Sequence, residues 1–265
     1  MSIPQRTQLV PLPPCIKSSY PIGSPRSKLL AVASLPNGAD LVPPDVRDAI
    51  VALHEAVSID QGDFRVTDCR RDVPQQAAAR KKYENWLAAG KPAKGSPGYK
   101  KSSMKPDFVS KPGFSWHNAG RAVDLDLGNL NFVGVPADLQ LDKLWVLAKK
   151  IGWRPVIKAP DEGASEAWHF DCMGEWEPVY DRLGYKDAAM CACLDIGVAA
   201  YGRDKERLIQ AQLQRAGYDI GEIDGWIGAR THRGIEQAGL ELKQVLADPS
   251  LLFVLPSSRK VKMIP

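Results

Sequence analysis

Four histidines occur in the 265-residue chain, at positions 54, 117, 169 and 232, and two of them stand among other groups able to bind metal or move protons. His117 lies in SWHNAGRAVDLDL ahead of Asp124, and His169 lies in EAWHFD just after Glu166. Two imidazoles and a carboxylate can give zinc three protein ligands and leave the fourth position for water. Bound zinc lowers the pKa of that water toward ~7, and a nearby carboxylate can take its proton so that hydroxide attacks a carbonyl. His117, Asp124 and His169 are therefore candidate ligands of one zinc per chain, with Glu166 as the proton acceptor.

These side chains need elements to hold them. Val123, Leu125 and Leu127 alternate with Ala122, Asp124 and Asp126, which predicts a strand with both aspartates on one face. Asp126 is either an outer partner of the metal site or an ordinary hydrogen-bonded strand residue. Gly120 permits a tight turn after His117. Glu166 and His169 are an odd number of residues apart, so an ideal strand would part them and a bend is required before His169. Val46, Ile50, Leu53 and Val57 recur as on an amphipathic helix that starts at Pro43. A second helix is predicted from an Asp72 N-cap to the stop at Gly90 and Pro92, and a third over about 137–151, closed by Gly152. Segments 64–67 and 167–171 are further candidate strands. Helices and short strands mixed without a βαβ rhythm give an α+β class.

The ordered residues Ser115, His117, Gly120, Ala122 and Asp124, followed by Glu166, Trp168 and His169, resemble the zinc-dependent D-alanyl-D-alanine carboxypeptidases, the VanY-type peptidoglycan peptidases, with their S-x-H-x-x-G-x-A-x-D and E-x-W-H motifs. The resemblance implies a small antiparallel sheet flanked by helices, zinc on His117, Asp124 and His169, and Glu166 as general base and later general acid. It also implies an upstream arginine followed by a glutamine, matched here by Arg70 and Gln75, although the aromatic and serine beside that arginine are lost. Arg70 would pair with a substrate carboxylate or the developing oxyanion, with Arg71 as a surface alternative; a plain solvated loop and helix start is the other reading of Arg70 and Gln75. Ser115 and Trp168 would touch substrate. Trp116 and Trp168 flank the two histidines and suit either a cleft wall or core packing.

With 35 Lys and Arg against 31 Asp and Glu, the chain carries only +4, too mild to advertise nucleic acid. Lys100, Lys101, Lys105 and Lys111 form a basic loop before the first motif, either simply solvated or attracted to anionic wall polymers. No stretch nears the roughly 18–20 apolar residues of a membrane span, Leu29–Leu35 being cut by Pro36, and prolines at 4, 11, 13 and 14 argue against a cleavable signal. The five cysteines are an odd count and are expected to be reduced, with Cys172 a buried thiol and not a ligand.

The expected division is an extended arm over 1–40, a peptidase domain over 41–188, a linker over 189–202, a small all-α domain over 203–245 and a tail over 246–265. Gln210, Leu213, Gly217, Tyr218, Gly221, Ile223, Asp224, Gly225, Gly228 and Thr231 resemble the helical peptidoglycan-binding domain found beside many wall hydrolases. That implies wall contact, for which Tyr218, Asp224 and Trp226 are candidates, although most of these residues suit turn and cap formation. Together the resemblances imply a monomeric zinc peptidase acting on the stem peptide or cross-link of bacterial peptidoglycan, D-alanyl bonds favoured, without nucleic-acid binding or membrane insertion. Lack of a signal suits an endolysin made in the cytoplasm and freed by a phage. Alternatives are an L-alanyl-D-glutamate endopeptidase, a host D,D-carboxypeptidase, and a non-catalytic wall-binding or phage structural protein.

Overall fold

The structure is a computed structural model, and it describes residues 3–19, 40–105, 108–161, 166–200 and 202–258. The Leu29–Leu35 stretch, most of the expected arm and the end of the expected tail lie outside them. Within the arm, β1 (Val10–Pro11) pairs antiparallel with β2 (Leu41–Val42). Helix α1 (Pro44–Ile59) follows, with Pro44 at its first turn, where a missing N–H costs nothing. Its stripe of Val46, Ile50, Leu53 and Val57 is buried as the spacing predicts, and the His54 ring lies edge-to-face with Phe64 at 6.2 Å.

Two short strands, β3 (Gly62–Asp63) and β4 (Val66–Asp68), lead to α2 (Val73–Ala88). Asp72 caps α2 in a reciprocal box: its carboxylate accepts the Gln75 N–H at 2.8 Å and the Gln75 side chain accepts the Asp72 N–H at 3.3 Å. Strand β5 (Ala122–Leu125) comes next, then β6 (Asn131–Phe132) and α3 (Gln140–Ile151), which ends at Gly152 with φ of 94°. Lys149 and Lys150 in its last turn suit the negative end of the helix. Strands β7 (Trp153–Pro155) and β8 (His169–Cys172) complete a four-stranded antiparallel sheet in the order β4-β5-β8-β7. One face of this sheet, with Val66, Val123, Leu125 and Phe170, packs on Ile50 and Leu53 of α1 and on Leu144 and Trp145 of α3. The α+β class expected from the sequence is the one observed, with helices packed against small antiparallel sheets.

The remaining described helices are α4 (Glu177–Leu183), α5 (Tyr185–Asp195), α6 (Asp204–Arg215), α7 (Ala229–Gln237) and α8 (Leu242–Ala247). Helix α5 corrects the expectation of a linker over 189–202. MCACLD is helical and buried on all sides, because small side chains let neighbouring helices approach closely. Cys191 and Cys193 are interior thiols that burial pushes well above the usual range, and all five cysteines are free. Trp116, Trp176 and Val179 share one apolar cluster with α5 and with Leu208, Leu213, Ile235 and Leu252 of the C-terminal helices. No helix among the described residues is long and apolar enough to cross a membrane.

A buried polar network ties the arm to these helices. Arg6 pairs with Asp195 at 2.5 and 3.0 Å and with Glu175; Glu175 also meets Arg215, at 3.3 Å, and Gln212 donates to Asp195 at 2.9 Å. Asp195 is almost wholly buried, so removing Arg6 strands its charge. Arg6→Ala is expected to lower stability by about 3 kcal/mol in urea unfolding. Lys17→Ala, which breaks an exposed pair with Asp63, should change it by less than ~0.5 kcal/mol.

Candidate metal centre

Strands β5 and β8 pair with Asp124 opposite His169 and Ala122 opposite Asp171. Residues directly opposite in an antiparallel pair leave the sheet on the same side. Asp124, His169 and Asp171 therefore share the face away from the Val123 and Phe170 core. His117 arrives from a tight turn in which Ala119 N–H donates to the Ser115 carbonyl and Gly120 N–H to the His117 carbonyl. Gly120 has a φ of 65°, and a Cβ there would meet Pro43 at 3.2 Å and the Leu41 carbonyl at 3.3 Å, so both conformation and space demand glycine. Asn118 secures the turn by donating to the Arg71 carbonyl at 2.7 Å and accepting the Gly113 N–H at 3.0 Å.

The three side chains converge. His117 Nε2 lies 3.2 Å from His169 Nδ1 and 3.3 Å from Asp124 Oδ1, and His169 Nδ1 lies 2.9 Å from Asp124 Oδ1. Bonds of ~2.0–2.1 Å at tetrahedral angles put ligand atoms about 3.3 Å apart. The donor atoms are thus spaced like three corners of a zinc tetrahedron, and these residues fit the metal. Each histidine is fixed through its other nitrogen: His117 Nδ1 lies 2.5 Å from the Cys69 carbonyl, and His169 Nε2 lies 2.9 Å from Asp171 Oδ1. Such outer partners set ring orientation and tautomer. Burial pushes the Asp124 carboxyl up, but His117 and His169 outweigh it and hold that group well below the usual range.

Glu166 stands at the rim of the same cleft, a space of ≈ 400 Å³. Its φ of 70° is left-handed, a conformation that costs a non-glycine residue of order 1–3 kcal/mol. Its carbonyl accepts the His169 N–H at 3.1 Å, closing the bend that the odd spacing requires. Its carboxylate Oε2 lies 3.8 Å from His169 Nδ1.

Ser115 and the exposed Trp168 also line the cleft, whereas Trp116 is fully buried with Tyr185 edge-on at 6.0 Å. Arg70 and Gln75 are not among the residues that line it. The Gln75 side chain is engaged in the Asp72 cap, and the Arg70 charge is felt by buried Cys193. Their neighbours Arg71 and Gln76 line the cleft instead. The Arg71 guanidinium holds Asp68 at 2.5 Å and donates to Gln76 at 3.1 Å, while its N–H donates to the His117 carbonyl at 2.9 Å. Burial works against its charge, but Asp68, Asp124 and Glu166 more than offset it.

Asp171, Gln76 and Tyr185 were not read from the sequence as site residues. The alternation of His169 with Asp171 on one strand was the available signal for the first. Asp126 serves elsewhere: β5 ends at Leu125, and Asp126 instead accepts from Ser19 Oγ at 2.5 Å, Asn129 at 2.8 Å and Gly128 N–H at 3.1 Å. Cys172 is buried in the sheet core, outside the group formed by His117, Asp124 and His169.

Among the C-terminal candidates, Asp224 accepts from Gln210 at 2.9 Å and from the Trp226 N–H at 2.8 Å, which shapes its turn. Tyr218 is partly buried against the helical core. Trp226 is exposed with the Arg203 guanidinium 3.3 Å above its ring centre.

No family model matches the chain, and no curated protein matches it. Solved structures similar to it include two peptidases. One is the LdcB LD-carboxypeptidase, described as revealing the molecular basis of peptidoglycan recognition: it is 14% identical, with a TM-score of 0.43 over 71% of this chain and 80% of that one. The other is a variant of the vancomycin-resistance D,D-pentapeptidase VanY from the VanB-type cassette in complex with Zn(II): 19% identical, with a TM-score of 0.36 over 66% of this chain and 89% of that one.

The two strand aspartates give opposite expectations. Asp171→Ala should weaken zinc binding about 10–100-fold in a chelator competition, because His169 loses the acceptor that orients it. Asp126→Asn should leave zinc affinity unchanged.

Proposed function

We infer that the chain is a zinc peptidase that hydrolyses a peptide bond of bacterial peptidoglycan. The observation that carries this reading is the convergence of His117, Asp124 and His169 at 2.9–3.3 Å, with the Glu166 carboxylate beside them on an open cleft. When bound, zinc would supply a water acidic near neutral pH and polarise the scissile carbonyl.

The protein's own groups do the rest. Glu166 sits where it can take a proton from the attacking water and return one to the leaving amine. Arg71 takes the role first assigned to Arg70: pinned by Asp68 and Gln76, it presents a fixed positive charge at the cleft, suited to the oxyanion or to a substrate carboxylate. Trp168, Tyr180 and Val156 give the cleft apolar walls, and Ser115 adds a hydroxyl. Arg154 and Lys105 add positive charge toward a stem peptide that is rich in carboxylates.

The E-x-W-H sequence at 166–169 favours a bond involving D-alanine. The C-terminal helices, with Trp226 at their surface, are the candidate wall contact, and an endolysin-like role in wall lysis is the setting that suits both parts.

The test is mass spectrometry of purified peptidoglycan after digestion, with chelated and zinc-restored controls. New stem-peptide ends that vanish with chelator are expected. Free D-alanine would mark a carboxypeptidase, and lost cross-links an endopeptidase. No cleavage, with the protein still sedimenting on the wall, would overturn the reading in favour of a binding protein. Glu166→Gln should keep its zinc and lose about 10²–10⁴-fold in rate. Arg71→Ala should lose about 10²–10³-fold in kcat with zinc retained, and Arg70→Ala far less.

A further inference from the structure

The positive charge of this chain is concentrated in one place. Between residues 80 and 111 there are nine Lys and Arg and two acids, while the whole chain carries only +4, so the remainder is net acidic. These residues belong to α2 and the loop that follows it. Lys81 and Lys82 stand exposed on the helix, and the loop carries exposed Lys91, Lys94, Lys100 and Lys101. Exposed Lys105 brings the same charge to the cleft, which it lines, and exposed Lys111 stands near Glu84 of the helix.

The loop is built onto the helix. Asn85 donates to the Ser103 carbonyl at 3.1 Å, Trp86 Nε1 to the Pro92 carbonyl at 3.0 Å and Arg80 to the Val109 carbonyl at 2.7 Å. The Lys105 N–H donates to the Lys82 carbonyl at 3.2 Å. Tyr83 packs between Trp86 and Phe108, at 5.9 and 5.6 Å, with Arg80 over its ring at 5.0 Å. The lysines therefore stand on a fixed framework. Glu84 pairs with Arg80 at 2.8 Å, and that bond, with Lys81 and Lys111 nearby, holds its carboxyl below the usual range. Two acids cannot neutralise nine cations, and like charges held together raise the local potential.

We propose that α2, the loop residues 91–105 and Lys111 form a docking surface for a phosphodiester-bearing wall polymer, which holds the wall strand beside the catalytic cleft. This rests on the peptidase reading for its purpose and on charge complementarity for its partner. Lysines are hydrated point charges on flexible stems, suited to a repeating, disordered polyanion more than to one phosphate gripped bidentately. Helix α2 spans about 24 Å, several repeats of such a polymer. It buries only Gln76 and offers no apolar stripe to enter a lipid surface. Tyr83 and Trp86 are half-buried against one another, which leaves Phe108 as the one open ring of the three, too few for successive bases to stack.

The test uses the zinc-loaded full chain and a variant with Lys81, Lys82, Lys94, Lys100 and Lys101 each changed to Gln, none of which lines the cleft. Both are sedimented with walls that retain poly(glycerol phosphate) and with the same walls stripped of it. Wild type should bind native walls about tenfold more tightly than stripped walls, with the difference erased by salt. The variant should show no difference, and both should cut a soluble stem peptide at equal rates.

Equal binding of wild type to the two walls overturns the proposal whatever the variant does. So does displacement from native walls by a single-stranded oligonucleotide at a tenth of the phosphate concentration needed with free poly(glycerol phosphate), which would assign the surface to nucleic acid. Sedimentation needs no turnover. If neither protein cuts the peptide while wild type still prefers native walls, the peptidase reading fails and the polymer surface stands.

Discussion

The register between β5 and β8 is the constraint on which the site depends. A slip of one residue would send Asp124 and Asp171 into the apolar core and Val123 and Phe170 into the cleft, since side-chain direction alternates along a strand. The core forbids that slip: Val123 and Phe170 are fully buried against α1 and α3. Hydrophobic packing on one side of the sheet thus fixes the chemistry on the other. The same pairing sets Asp124 against His169, two ligands far apart in sequence but adjacent across the strands.

Around that pair, buried polar groups are satisfied in layers. Each histidine has one nitrogen turned inward to its fellow ligands and one turned outward to a fixed acceptor. Arg71 is locked by Asp68 and Gln76, and Asn118 joins the Arg71 segment to the His117 turn. Buried Arg121 repeats the pattern behind the sheet, where it holds Asp45 at the start of α1 at 2.9 and 3.0 Å and donates to the Cys172 carbonyl. Interior charges need such partners, and here the partners also fix orientation.

Much of this was legible in the chain itself. The apolar stripe of α1, the Asp72 cap, the glycine after α3 and the bend before His169 follow from periodicity, capping and parity. Gln75 lies outside the cleft lining for a reason that was also present in the sequence. Asp72-Val73-Pro74-Gln75 has capping-box spacing, which commits Gln75 to the helix start and turns Gln76 inward. The linker reading departs from the structure over 189–195, because small residues signal either flexibility or close packing. Only the tertiary neighbours of Cys191 and Cys193 tell the two apart. The Arg6 network joins distant segments and leaves no local pattern.

That network has a bearing on how the chain assembles. Arg6 and Asp195 close a loop of 189 residues, and closing a loop costs entropy that grows with its length. The contact shares its acids with Arg215 and Gln212, so it joins the segment around Arg6 to both α5 and α6. It makes the segment around Arg6 a lock on α5 and α6, so that opening of any one of the three uncovers Asp195, which is otherwise buried.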